Sequence, residues 1–282
     1  MVNNHVWIVY TKMESVRNEG FIRIICEEFC KRGFFPILLI EENLRLFFLD
    51  SVPYLSHENT TLGLPCAVIN RTQNHLLCKH IEIMGVRVFN NSLVSEICNN
   101  KMKTHQFLAK LKIPFLDTEL VKDNAESMRF PLVVKPVDGK GGDGVFLANN
   151  KSEYNIALNK LKGRECISQE CSSLMGTDVR VYVIGKEIIA SVKREATTGF
   201  KSNFTKSGKA SVYQLSPSEV TLIDRVISGM AFDFVGIDFM FHDDGIVVNE
   251  IEDVVGSRAV YALTDINIIA IYADYVVDCV TR

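Results

Sequence analysis

The sequence predicts an α/β unit followed by an α+β unit, and three observations carry that prediction. Short apolar runs alternate with segments of helical period up to about residue 95, as in a small parallel sheet. Beyond that point, apolar strands come in pairs joined by tight turns, as in antiparallel hairpins. A glycine-rich stretch, Asp138–Gly144, lies between two strands instead of opening a helix.

In the first unit, Val6–Thr11 reads as a buried strand. Asn18–Arg32 places Phe21, Ile24, Ile25 and Phe29 at helical spacing, and Gly33 closes it as a C-cap. Pro36–Ile40, Ala67–Asn70 and Val86–Phe89 read as further strands, and Asn74–Met84 as a helix. There is no Gly-x-Gly-x-x-Gly, so this Rossmann-like unit is not read as a dinucleotide site. Ser92–Leu111 reads as one helix, ended at Ile113-Pro114.

In the second unit, Phe130–Lys135, Val145–Ala148 and Glu165–Glu170 read as strands, and Tyr154–Leu161 as a helix. Asp178–Ile184 and Glu187–Lys193 form a hairpin about Gly185-Lys186. Ser216-Pro217-Ser218-Glu219 is a capping box that opens a helix to about Phe232. Val235–Phe241 and Ile246–Ile251 form a second hairpin, and Asp265–Asp278 a last helix.

Composition narrows the function classes. Of 282 residues, 47% are hydrophobic and 23% charged, as in an ordinary folded protein. A net charge of −3 gives no general attraction for nucleic acid or an anionic membrane. The apolar start, Val6–Tyr10, is short for a signal peptide, and Glu41, Glu42 and Arg45 interrupt the apolar region Phe34–Leu49. The expected location is cytoplasmic. None of the eight cysteines forms Cys-x-x-Cys, and the six histidines show no metal spacing. Reduced thiols, several of them buried, are expected, and no structural zinc.

Three constellations carry chemistry. Val133-Val134-Lys135-Pro136 leads into a loop with four glycines in six residues: Gly139, Gly141, Gly142 and Gly144. Such a backbone can approach an anion closely, with Lys135 supplying charge beside it. A flexible hairpin tip with a snorkelling lysine is the competing reading.

The second constellation is acidic. A three-residue turn over Asp243-Asp244-Gly245, with Gly245 left-handed, would pair His242 with Ile246 and set Asp238 opposite Glu250. Alternation then puts Glu250 and Glu252 on one face. Three carboxylates in apolar strands are costly unless compensated, and hard oxygen donors suit magnesium. A solvated strand edge paired with lysines is the alternative.

The third is basic: Arg180, Lys193, Arg194, Lys201 and Arg258, with Lys201 and Asn203 in a loop of small residues. Thr197–Ser211, containing Gly199 and Gly208, reads as a lid.

With these pieces in order, the chain resembles the RimK-like branch of the ATP-grasp family. The matching segments are Asn100-Lys101, Val133–Pro136, Ser168-Gln169-Glu170, Asp178-Val179-Arg180, Ser191–Arg194, Phe200–Asn203, Gly236-Ile237-Asp238 and Asn249–Glu252. The resemblance covers residues 65–280 well and the first 65 loosely. It implies an ATP-grasp fold: a Rossmann-like domain over 1–95, then two α+β subdomains, 96–165 and 166–282, that clamp ATP. It also implies an ADP-forming ligase joining a carboxylate to an amine, with ATP and Mg2+ (or Mn2+) as cofactors. Small-molecule or peptide substrates are implied, and association into homo-oligomers as in related ligases.

The resemblance further implies roles. Lys101 and Lys135, with Gly141, Gly142 and Gly144, would hold ATP phosphates. Glu170 and Cys171 would form the adenine hinge, and Asp178 would lie near the ribose. Lys201 would reach the terminal phosphate, with Asn203 steadying its loop. Asp238, Glu250 and Glu252 would hold the metal, and Arg194 would face the acyl phosphate. The family commonly has Glu-x-Asn where this chain has Glu250-Ile251-Glu252, and Ser-Pro-Gly where it has Asp253–Arg258. Arg258 is accordingly a candidate partner for an acceptor carboxylate. An idle nucleotide-binding module and a kinase that stops at phosphate transfer are the rival readings. Asp238→Asn or Glu250→Gln is expected to abolish turnover without unfolding the protein.

Overall fold

The computed structural model describes residues 4–58, 60–121, 129–139, 141–197, 199, 208–243 and 245–282. Strand β1 (His5–Tyr10) leads through α1 (Lys12–Arg17) and α2 (Glu19–Lys31) to β2 (Phe35–Ile40). With β6 (Ala67–Asn70) and β7 (Val88–Phe89), these strands form a parallel sheet in the order β2-β1-β6-β7. Gly33 takes the left-handed conformation, φ 77°, that ends α2. Helix α3 (His75–Ile83), capped by the Asn74 side chain, supplies the last crossover.

Between β2 and β6 lies a feature the sequence reading missed. β3 (Leu44–Leu49), β4 (Val52–His57) and β5 (Thr60–Thr61) form a small antiparallel sheet. Its first strand, Leu-Arg-Leu-Phe-Phe-Leu, lacks an apolar–polar alternation to announce it. The single helix read over Ser92–Leu111 is two: α4 (Ser92–Cys98) and α5 (Lys101–Lys110). Asn100 leaves the helical conformation to accept from Lys103 N–H, so it begins a helix inside an unbroken apolar period.

A second sheet, ordered β10-β9-β11-β8, is built from β8 (Thr118–Leu120), β9 (Leu132–Pro136), β10 (Phe146–Ala148) and β11 (Cys166–Glu170). Helix α6 (Lys151–Lys160) covers it through Tyr154 and Ala157. The third sheet is antiparallel and ordered β14-β13-β12-β15-β16. Its strands are β12 (Thr177–Ile184), β13 (Glu187–Ala196), β14 (Gly208–Val212), β15 (Phe234–His242) and β16 (Gly245–Glu252). Helix α7 (Pro217–Ser228) begins at the expected capping box, but ends at Ser228. Residues 208–211 of the expected lid are strand, with the rest of it, 198 and 200–207 included, largely outside the described residues. Helices α8 (Arg258–Leu263), unforeseen, and α9 (Ile268–Thr281) close the chain.

Strand alternation divides the third sheet. Val179, Val181 and Val183 of β12 face α5 and α7, packing on Leu108, Ile223 and Val226. Tyr182 and Ile184 face the opposite way, into a core shared with α2, β1 and α9. Asp178 and Arg180 share their phase, so they too leave the α5–α7 core. Arg32 ties α2 to α9 through Asp274 at 2.6 Å.

The second hairpin needs one correction. Its turn pairs His242 with Gly245, not with Ile246, and Asp243 takes the left-handed conformation, φ 46°. That register alone would misplace the acids by one residue. A bulge at Asn249 restores the phase, so Asp238 still faces Glu250. The core demands this insertion: Val248 and Ile251 pack into the same cluster although they stand three positions apart, an odd offset that unbroken alternation would put on opposite faces.

Candidate active site

The second and third sheets face each other across a cleft. Its floor is Val133 and Lys135 of β9, and its rim is Gly139, Gly141 and Gly142 of the glycine loop. Glu170 and Cys171, where β11 ends, line one end, and Asp178, Arg194 and Glu250 of the third sheet line the other. Lys101 reaches in from the start of α5.

Both lysines are buried, and each is oriented by a defined partner. Lys101 Nζ donates to the Gly139 carbonyl and lies 3.5 Å from Glu250. Lys135 Nζ donates to Asn249 Oδ1 at 3.2 Å. Burial, reinforced by the charge of Lys101 and opposed by Glu250, pushes the Lys135 ammonium down to about 8.

The acids converge as read from the sequence. One oxygen each of Asp238, Glu250 and Glu252 lies within 4.8 Å of the others. They do not wait on a metal for compensation. Arg180 Nε and Nη2 donate to the two oxygens of Asp238 at 2.7 and 2.6 Å, and Arg194 Nη2 adds a bond of 2.7 Å. Arg180 also pairs with Glu252 at 2.6 Å, and Arg194 with Asp178 at 2.6 and 2.9 Å. Burial opposes ionisation of Asp238, but the two guanidinium groups outweigh it and hold its carboxyl below the usual range. Burial and the neighbouring acids push Glu252 up, with Arg180 opposing them.

Four acids (Asp178, Asp238, Glu250, Glu252) thus stand among four cations (Lys101, Lys135, Arg180, Arg194). Glu250 and Glu252 keep partial access to solvent, 26% and 29% of each side chain. A cation with hard-oxygen preference fits this donor set, which offers carboxylate oxygens only. Among the described residues it is the single such cluster of metal-ligating side chains.

The structure also sorts the remaining candidates. Gly144 does not line the cleft; a Cβ there would sit 3.1 Å from Pro136 Cγ and 3.2 Å from Leu161 Cδ2, so its absence serves packing. Arg258 is exposed at the start of α8, outside the cleft lining. Lys201 and Asn203 lie outside the described residues. All eight cysteines are free, with Cys78 and Cys166 buried and Cys30 exposed.

Sequence reasoning left three contributors without a role. Arg180 stood as one of several strand cations and within the matching segment Asp178-Val179-Arg180, but with no role assigned to it. Gly236 makes room for it: a Cβ there would lie 3.2 Å from Arg180 Cδ and 2.7 Å from Val255. Asn249 stood only within the matching segment Asn249–Glu252, with no role of its own, and His105 carried no sequence signal, since the bulge that brings them together is not local.

Comparisons with known proteins give the family and the fold. Residues 98–276 match the RimK-like ATP-grasp domain, and the chain belongs to that family of carboxylate–amine ligases. A probable alpha-L-glutamate ligase of Legionella pneumophila (strain Corby) is 29% identical over 209 residues, covering 70% of this chain and 69% of that protein. The crystal structure of a RimK domain ATP-grasp protein from Sphaerobacter thermophilus superposes with a TM-score of 0.74 at 18% identity, over 96% of this chain and 98% of that one. The ATP-grasp ligase PsnB, solved with a precursor variant, Mg and ADP, gives 0.70 at 15% identity over 98% of both chains. Among the described residues, no helix is long and apolar enough to cross a membrane.

Proposed function

We propose that this chain uses ATP and magnesium to activate a carboxylate and joins it to the amine of an amino acid, with glutamate the first candidate. The observation that carries the proposal is the meeting of Lys101, Lys135 and Glu250 in one cleft beneath a glycine rim. Relatives named as glutamate ligases support the amine, and the PsnB complexes support a peptide as the source of the acid.

In the first step a carboxylate oxygen attacks the γ-phosphorus of ATP, and ADP leaves, giving an acyl phosphate. Lys101 and Lys135 hold the phosphates, and the backbone of Gly141 and Gly142 borders them. Gln169, Glu170 and Cys171 seat the base. Asp238, Glu250 and Glu252 hold magnesium, which when bound offsets charge on the transferred group. In the second step the amine attacks the acyl carbon, phosphate leaves, and the nitrogen loses a proton. Arg194, fixed by Asp178 and Asp238, stabilises the developing oxyanion. Lys201 at the terminal phosphate, Asn203 beside it and Arg258 on the acceptor carboxylate are proposed from resemblance and sequence position. Glu252 in place of an amide does not argue for an idle site, since Arg180 compensates the added charge. The eight free thiols suit a cytoplasmic protein.

The test is ADP release with magnesium, screened over amino acids against peptide and amino-acid carboxylates. Release that needs both substrates, with a product equal to their sum less water, is expected. Release without an amide product would overturn the proposal.

A further inference from the structure

His105 lies on α5 behind the metal strand and is 2% exposed. Its Nε2 is 3.2 Å from the carbonyl oxygen of Asn249. A carbonyl only accepts, so Nε2 carries the proton. Asn249 is the bulge residue of β16, standing outside the ladder with β15. A buried carbonyl displaced from a ladder needs another donor, and His105 supplies it. The ring is fixed by stacking on Phe115, centroids 5.0 Å apart and planes at 12°. On the preceding residue, Val248 N–H donates to the Pro114 carbonyl at 2.9 Å. Helix α5 and the turn after it therefore hold the outer edge of β16 at the bulge and at the residue before it.

The arrangement has a cost that packing alone would not incur. His105 Nδ1 is buried with no hydrogen-bond partner, the sole such side-chain atom among the described residues. An apolar side chain would fill the space without it. What the imidazole adds is the Nε2–H on Asn249. Asn249 in turn presents Oδ1 to Lys135 and precedes Glu250. One backbone contact thus governs both a phosphate-facing lysine and a metal-facing acid.

We propose that His105 is a positioning residue, whose hydrogen bond to the Asn249 carbonyl fixes the bulge that aims Asn249 at Lys135 and Glu250 into the cleft. The inference rests on the ligase reading above. It is tested with His105→Phe, which keeps the ring against Phe115 and removes the donor, and His105→Gln, which keeps an amide donor. Mn2+ is titrated into each protein with ADP and followed by electron paramagnetic resonance, beside kcat and KM for ATP and the melting temperature. His105→Phe should raise the half-saturating Mn2+ concentration about tenfold, the usual cost of losing an outer-shell contact. It should raise KM for ATP more than it lowers kcat, and His105→Gln should bind Mn2+ nearly as the wild type does. Unchanged Mn2+ binding in a folded His105→Phe protein overturns the inference, as does equal loss in both variants. If His105→Phe fails to fold, His105→Gln decides alone: near-normal Mn2+ binding supports the inference and a tenfold loss overturns it. A wild-type protein that neither binds Mn2+ with ADP nor releases ADP sinks the ligase reading, and this inference with it.

Discussion

Arg180 grips Asp238 through two parallel hydrogen bonds, 2.7 and 2.6 Å, at a point where Asp238 is 1% exposed. The pair sets Asp238 apart from Glu250, another of the three proposed metal ligands. Asp238→Asn removes the carboxylate that two buried guanidinium groups share, leaving Arg180 only Glu252 and Arg194 only Asp178, and should cost about 3 kcal/mol of stability besides abolishing turnover. Glu250→Gln, on a partly exposed side chain, should lower ADP formation by at least about a hundredfold with little change in melting temperature. The sequence alone suggested that both variants would stay folded. Parallel activity and urea-unfolding measurements separate them, and equal stability would remove the special standing of Asp238.

Glu252→Asn restores the amide usual in the family while deleting one acceptor charge from Arg180, which stays held by Asp238. Fewer ligand charges weaken a divalent site. The variant should keep turning over but need about tenfold more magnesium for half-maximal rate. A magnesium titration of initial rates checks this, and an unchanged requirement would place Glu252 outside the metal site.

Much of the chemistry was legible because strand period is rigid. Asp178, Arg180 and Asp238 could be assigned a face by counting, and the capping box at Ser216 and the turn at Gly185-Lys186 fell where local chemistry put them. The acid cluster was also foreseen, but for an incomplete reason. The inferred register began one residue off at the turn, and the Asn249 bulge cancelled the difference. A bulge answers to the core beneath it, here Val248 and Ile251, and no local rule reveals it. The β3–β5 sheet was hidden for a similar reason. Its exposed Phe48 and Leu49 break alternation, and its one fully buried apolar residue is Leu55. The arginine clamp was missed because pairing across three strands is a tertiary fact.

The glycine loop divides into two kinds of position. Gly141 and Gly144 both hold positive φ, 63° and 66°, but only Gly144 has side chains within reach of an added Cβ. Gly144→Ala should combine left-handed strain with a clash on Pro136 and Leu161, costing about 2–3 kcal/mol and leaving KM for ATP unchanged. Gly141→Ala should cost only about 1–2 kcal/mol of strain and raise KM for ATP, since it borders the cleft. Melting curves and ATP kinetics on the pair check the split, and a KM effect confined to Gly144→Ala would reverse it.

His105 also leaves a mark on the pH dependence of stability. An ordinary histidine titrates near 6.5, but burial, helped by the charge of Lys135, pushes His105 down to about 4. Between those values the unfolded chain takes up a proton that the folded protein refuses. Stability from this group is therefore fully present above about pH 6.5 and falls as the pH drops toward 4. Between pH 6.5 and pH 4.5 the loss amounts to about 2 kcal/mol. His105→Phe cannot titrate, so it should lose about 2 kcal/mol less than the wild type over that interval, whatever its stability at neutral pH. The other titrating groups are common to both proteins and cancel in the comparison. Urea unfolding at the two pH values gives the difference directly. Equal losses would mean that His105 takes up its proton at Nδ1 in the folded state as readily as in the unfolded chain, and that Nδ1 is not shut away from solvent as its burial requires.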